Sequence, residues 1–236
     1  MSTFSGTVSP SSMPALAWLG LAFRLWTRAP LRLSGVAFTP VVLEGLVQMV
    51  PFGGVVASKL VVTIATGWAL LVADAIARTG AGEPFRQVRT LASGCRGVFG
   101  AARLGLAVFA FQLAVCGLVA GPSQAAMLAT GQHQAIDMTG ETLGWIFASG
   151  LLPGALLMFV IPFVVLEGRP PREAIRASVG TAITYWQPVA LFTTLQLVMV
   201  VHVPRLPALL LVLLPFGLCS MYALYRTVHA ARDHVR

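Results

Sequence analysis

Residues 31–79 form two apolar runs joined at Pro51-Phe52-Gly53-Gly54, and each run carries a charge of opposite sign: Glu44 before the turn and Lys59 after it. Folded as a helical hairpin, the two charges fall level with each other. At 1.5 Å per residue, seven or eight residues from the turn corresponds to about 11–12 Å, close to the middle of a hydrocarbon core about 30 Å thick. An isolated charge at that depth is costly, so each charge needs the other as its partner. Three uses of such a pair remain open: a structural lock between two helices, a proton-coupled relay, and a site for a zwitterionic ligand.

The rest of the chain fits the same setting. Only 10% of the residues are charged, against roughly 25% in an average soluble domain, and 57% are apolar. Mean hydropathy is +0.82. These values describe a polytopic, all-α membrane protein. The net charge of +8 would suggest nucleic acid in a soluble chain, but here the arginines lie between apolar runs, as cytoplasmic flanks of membrane helices do. The expected partners are therefore membrane lipids, with a protein partner or homo-oligomer as further options, and no nucleic acid. Cys95, Cys116 and Cys219 are too scattered to form a disulfide framework or a metal motif, and read as small packing residues. No cofactor and no metal is expected.

Residues 1–12 read as a flexible tail without the basic stretch of a cleavable signal, and residues 13–236 as one polytopic membrane domain. In 13–28, Leu16, Leu19 and Phe23 share a helical face, with Trp18, Trp26 and two arginines suited to the water boundary. This pattern predicts an amphipathic helix lying in the inner interface. The first span is expected at 31–50, where Pro40, Glu44 and Gln48 share a face. The second is expected at 54–77, with Lys59, Thr63, Thr66 and Asp74 on an interior stripe. Asp74 falls level with Arg28, which predicts a second ion pair at the inner boundary, with a functional carboxylate as the alternative.

Pro84 starts a second interfacial helix, in which Phe85, Val88, Ala92, Cys95 and Phe99 form the apolar stripe, and a third span follows at 103–121 with Gln112 near its centre. Residues 122–141 lack Lys and Arg and read as a long external loop. The fourth span, 143–166, contains Gly150, Pro153 and Gly154, a combination that permits a kink. A third amphipathic helix begins after Gly168-Arg169-Pro170-Pro171, with Ile175, Val179, Ile183 and Trp186 on its apolar face. The fifth span, 188–203, carries Gln196 near its middle, and the sixth runs to about Arg226. On this threading only Lys59 and Arg205, of the 16 Lys and Arg residues, lie away from the inner side. That bias places both termini in the cytoplasm.

Pro14, Pro84 and Pro171 each precede an amphipathic helix that leads into a pair of spans, at spacings of 70 and 87 residues. The expected fold is six transmembrane helices arranged as three elbow-plus-hairpin repeats. The stretches Trp18-Leu19 to Arg28-Ala29-Pro30, Gly82-Glu83-Pro84-Phe85, and Leu166 to Ile175 with Ser178 and Trp186-Gln187-Pro188 carry a resemblance over nearly the whole chain. In these the chain resembles a family of bacterial six-helix inner-membrane proteins of uncharacterised activity. It is more loosely similar to the membrane domain attached to some glycerophosphodiester phosphodiesterases. The resemblance implies a multi-pass protein of the bacterial inner membrane and carries no hydrolytic activity, because no phosphodiesterase domain is present.

The candidate ligand-binding residues are Glu44, Lys59, Gln112 and Gln196, and the candidate structural ion pairs are Glu44–Lys59 and Asp74–Arg28. His202 has no nucleophile and carboxylate at a recognisable spacing, and there is no phosphate-binding loop, paired-histidine motif or dinucleotide fingerprint, so an enzyme is not expected. Two functional classes follow. One is lipid or small-molecule handling through a midplane polar site; the alternative is a non-catalytic scaffold that holds a partner.

Overall fold

The computed structural model describes residues 17–51, 53–80, 86–87, 95–132, 138–202 and 207–233. All regular structure among these residues is helical. The N-terminal tail, Leu16, the Gly82–Phe85 motif, most of the second interfacial helix, and His133 and Asp137 of the external segment lie outside them.

Helix α1 covers Ala17–Arg28, α2 Pro30–Gln48 and α3 Gly54–Thr79. α2 opens with Pro30 in its first turn, where the missing N–H would have no helical partner anyway. The α2–α3 turn is closed by Gly54: a Cβ there would lie 2.2 Å from the Val47 carbonyl oxygen, so only glycine lets the two backbones meet. Helix α4 spans Cys95–Val119, so the expected third span begins about eight residues early and includes part of what reads as the second interfacial helix. It crosses α3 closely at Gly105, where a Cβ would come within 2.6 Å of Thr63 Oγ1 and 3.0 Å of the Lys59 carbonyl.

The expected external loop is in part a helix. α5, Pro122–Thr130, starts on a proline, ends at Gly131 in the left-handed conformation, and folds back on α4 and α3 through buried Leu128. The polar content of 122–141 hid that short apolar face.

The fourth expected span is three segments: α6 Gly140–Ser149, α7 Leu151–Leu157 and α8 Val160–Glu167. Pro153 and Pro162 each lack the N–H that a helix would direct to the residue four positions back. The ladder accordingly breaks at Gly150 and at Met158-Phe159. The second break bends the axis by 44°. α9, Pro171–Thr184, then meets α10, Trp186–His202, at a bend of 97°. Pro188 explains it, because it cannot continue the α9 ladder. A short 3-10 turn, Pro207–Leu209, leads into α11, Leu210–Asp233.

Four of these helices are long and apolar enough to cross a membrane, namely Pro30–Gln48, Gly54–Thr79, Gly97–Val119 and Leu210–Ala230. Counting each bent pair, α6–α8 and α9–α10, as one span brings the number to six.

The core gathers Trp18, Leu33, Leu70, Ile76, Phe159, Phe163 and Leu224 from α1, α2, α3, α8 and α11 with the Phe159 corner between α7 and α8. Two amphipathic faces differ from the sequence reading. In α1 the buried residues are Trp18, Ala22 and Leu25, while Phe23 is 54% exposed. Trp18, expected at the water boundary, is instead buried edge-on against Phe192 at 6.0 Å. Small Ala22 suits the close packing of α1 along α11, and the large apolar area of the indole is removed from solvent beside Phe192 of α10. In α9 the buried residues are Ala174, Ser178, Thr181 and Ala182, whereas Ile183 and neighbouring Trp186 are each 63% exposed. Small and hydroxyl side chains pack inward because α7 and α8 pass close beside them, and the bulky apolar ones face outward.

Candidate functional site

Among the described residues, two polar groups interrupt the apolar bundle. The first is on the α2–α3 hairpin. Lys59 Nζ is paired with Glu44 Oε1. Gln48, one turn beyond Glu44, donates from Nε2 to the same carboxylate oxygen and to Ser58 Oγ, both at 3.3 Å. Buried Ser58 in turn donates to the Val55 carbonyl at 2.8 Å. A continuous polar chain thus runs from Lys59 to the start of α3, and the Lys59 ammonium also sits 5.4 Å from the centre of the Phe109 ring on α4. That contact adds a cation–π attraction to the ion pair.

The level pairing follows from the hairpin, and the pair sits closer to the helix ends than a count from the middle of the turn gives. Glu44 is four residues from the end of α2 and Lys59 five from the start of α3, about 6 and 7.5 Å. The pair is therefore nearer the turn than the midpoint of either helix. It is also partly exposed, with 24% of the Glu44 and 19% of the Lys59 side chain accessible. Around it Val41, Val42, Leu43 and Leu46 are exposed.

The other two candidate ligand residues do not join this group. Gln112, three residues along α4 from Phe109, donates from Nε2 to the Phe147 carbonyl of α6 at 2.8 Å. It fills the space above Gly150, where a Cβ would be 2.4 Å from its Nε2. This is an interhelical tie at the break between α6 and α7. Gln196 is half-buried on α10, which packs on α6, α7, α9 and α11, so it belongs to a different part of the bundle.

The second polar group was not anticipated as a unit. Asp74 does not pair with Arg28; its carboxylate accepts from Arg78 Nε at 2.8 Å and from Tyr222 Oη at 2.8 Å. Arg78, one helical turn further along α3, reaches Asp74 locally, and Arg28 instead donates from Nη1 to the Ala77 carbonyl at 3.2 Å. One turn along α11 from Tyr222, Tyr225 Oη donates to Glu167 Oε1 at 3.0 Å, and His229 Nδ1 lies 3.3 Å from the same oxygen. Glu167 Oε2 is paired with Arg169, whose guanidinium lies 5.0 Å from the centre of the Phe163 ring. Tyr225 stacks on His229 at 5.7 Å and meets Phe163 edge-on at 5.9 Å.

None of Glu167, Tyr222, Tyr225 and His229 is among the residues singled out from the sequence. The available signal was the spacing of the last three, which puts three polar-tipped rings on one face of α11. The network joins the ends of α3 and α8 to α11.

No family model, curated protein or solved structure matches the chain.

Proposed function

We propose that this chain is a multi-pass protein of the bacterial inner membrane, with six spans in three elbow-plus-hairpin units and both termini in the cytoplasm. In this reading it handles a lipid or a small zwitterionic molecule at the polar group around Glu44 and Lys59. The observation that supports this is the partial exposure of the pair: a carboxylate and an ammonium, each about a fifth to a quarter exposed, bordered by exposed valine and leucine side chains. A pure lock gains most when sealed between helices, whereas a partly exposed pair can exchange its internal partner for a ligand of complementary charge. Gln48 and Phe109 supply the neighbouring donor and aromatic face.

The test uses the full chain reconstituted in nanodiscs that contain a phospholipid carrying a photoreactive group on its headgroup. Cross-links are expected on 41–46 and near Phe109. They should fall several-fold in Glu44→Gln/Lys59→Met, while labelling elsewhere on α2 is unchanged. Equal labelling of both proteins at 41–46 would reject the site.

A second reading, a scaffold that holds a protein partner, is favoured by the exposed Ile183 of α9 and Trp186 at the start of α10. Loss of a co-purifying protein in Ile183→Ser/Trp186→Ser, with unchanged headgroup cross-linking, would support it.

A further inference from the structure

At the end of the bundle away from the α2–α3 turn, two arginines are paired with two carboxylates, and two more lie within about a helical turn of the Asp74–Tyr222 bond: Arg28 on Ala77, three residues along α3 from Asp74, and Arg226, four residues along α11 from Tyr222. Arg28 is fixed there by its bond to the Ala77 carbonyl and Arg78 by Asp74. Arg169 is held by Glu167, and Arg226 follows Tyr222 by one turn on α11. Both carboxylates are already engaged: Asp74 by Arg78 and Tyr222, Glu167 by Arg169, Tyr225 and His229. Arg28 has a backbone carbonyl as its partner, and Arg226 is exposed. These four arginines outnumber the two carboxylates by two. The tyrosine–carboxylate bonds also fix the helices that present them.

On the threading proposed above, α3 and α11 both run towards the inner face. Arg78 and Arg226 then stand level, one turn beyond the Asp74–Tyr222 bond, with Arg28 beside them at Ala77.

We infer that Arg28 and Arg226 form a binding site for a phosphate group at the inner boundary of the bundle, of the kind carried by an anionic phospholipid headgroup or a soluble phosphate ester. This rests on the membrane threading but not on the Glu44–Lys59 site. Guanidinium groups suit the ligand because their planar donors match two phosphate oxygens at once, and a cation near an anionic membrane surface is worth about fivefold in binding. Asp74 and Glu167 act as positioning residues: they hold Arg78 and Arg169 in place and leave Arg28 and Arg226 to the ligand.

Native mass spectrometry of the full chain with short-chain phosphatidylglycerol, phosphatidylcholine and inorganic phosphate tests this. The wild type should retain phosphatidylglycerol over phosphatidylcholine. Arg28→Gln/Arg226→Gln should lose roughly 25-fold in that retention at two cations of about fivefold each, and Arg28→Lys/Arg226→Lys should recover part of it. Competition by inorganic phosphate would assign the site to soluble phosphate esters, and its failure to compete would assign it to the lipid. Glu44→Gln/Lys59→Met should retain phosphatidylglycerol as the wild type does, which separates this site from the hairpin site. Equal retention by the glutamine variant, or an equal loss on replacing Arg172 and Arg176 of α9, would overturn the inference by showing general electrostatic attraction.

Discussion

Ser178 offers a sharp test of the packing, because one hydroxyl serves both sides of the break between α7 and α8. Its Oγ donates to the Leu156 carbonyl at 2.7 Å and accepts from the Phe159 N–H at 3.2 Å, and the side chain is fully buried. In Ser178→Ala the Phe159 N–H is left buried without a partner and the Leu156 carbonyl loses a donor. An orphaned buried group costs about 1–3 kcal/mol and a lost hydrogen bond about 1, so the variant should be destabilised by about 2–4 kcal/mol. For a chain of this size that corresponds to a fall in melting temperature of about 5–15 °C. Thr184→Ala is the control, since Thr184 Oγ1 donates only to the Gly180 carbonyl of its own helix and is exposed, so a change within about 0.5 kcal/mol is expected. Cys116 and Cys219 are free and buried, so a fluorogenic thiol reagent reports unfolding on heating in a Cys95→Ser background. If Ser178→Ala melts with the Thr184→Ala control, the hydroxyl does not bridge the break and the α7–α8–α9 corner is wrongly described.

Three further outcomes are expected. Gly150→Ala should displace Gln112 from the Phe147 carbonyl and cost about 1–3 kcal/mol, and adding Gln112→Ala should recover much of that loss by emptying the space; thermal unfolding of the single and double variants checks it. Ser220→Ala should leave stability unchanged or raise it by up to about 1 kcal/mol, because the Ser220 hydroxyl is buried without a hydrogen-bond partner among the described residues; a clear loss in the same assay would show that it has one. For topology, a thiol introduced at exposed Gln132 should react with an impermeant reagent in intact cells, and one at Arg172 only after the inner face is opened; the reverse pattern would invert the threading.

The helical class and most helix positions were legible because apolar runs of membrane length, proline starts and arginine flanks are local signals. The Glu44–Lys59 pairing was legible for the same reason: fifteen residues and one turn fix it. What failed to show were features set by neighbours. The inward face of α9 is made of Ala174, Ser178, Thr181 and Ala182, since close packing against α7 and α8 rewards small side chains over the bulky stripe that periodicity picks out. Trp18 looks amphipathic in sequence, and packing against distant helices, Phe192 among its neighbours, makes it a core residue. Asp74 and Tyr222 are 148 residues apart, a separation at which no spacing rule links them, whereas Arg78 was near enough to have been favoured over Arg28.

The central claim is that Glu44 and Lys59 form a coupled pair within a membrane-embedded hairpin, and a double-mutant cycle measures it directly. Unfolding free energies of the wild type, Glu44→Leu, Lys59→Leu and the double variant in one lipid environment give the coupling. Each single replacement leaves a half-buried charge without its partner, at a cost of about 3 kcal/mol, and the double replacement should recover at least about 2 kcal/mol of the summed loss. Single effects that simply add in the double variant would contradict the pairing and the hairpin register that brings the two residues together.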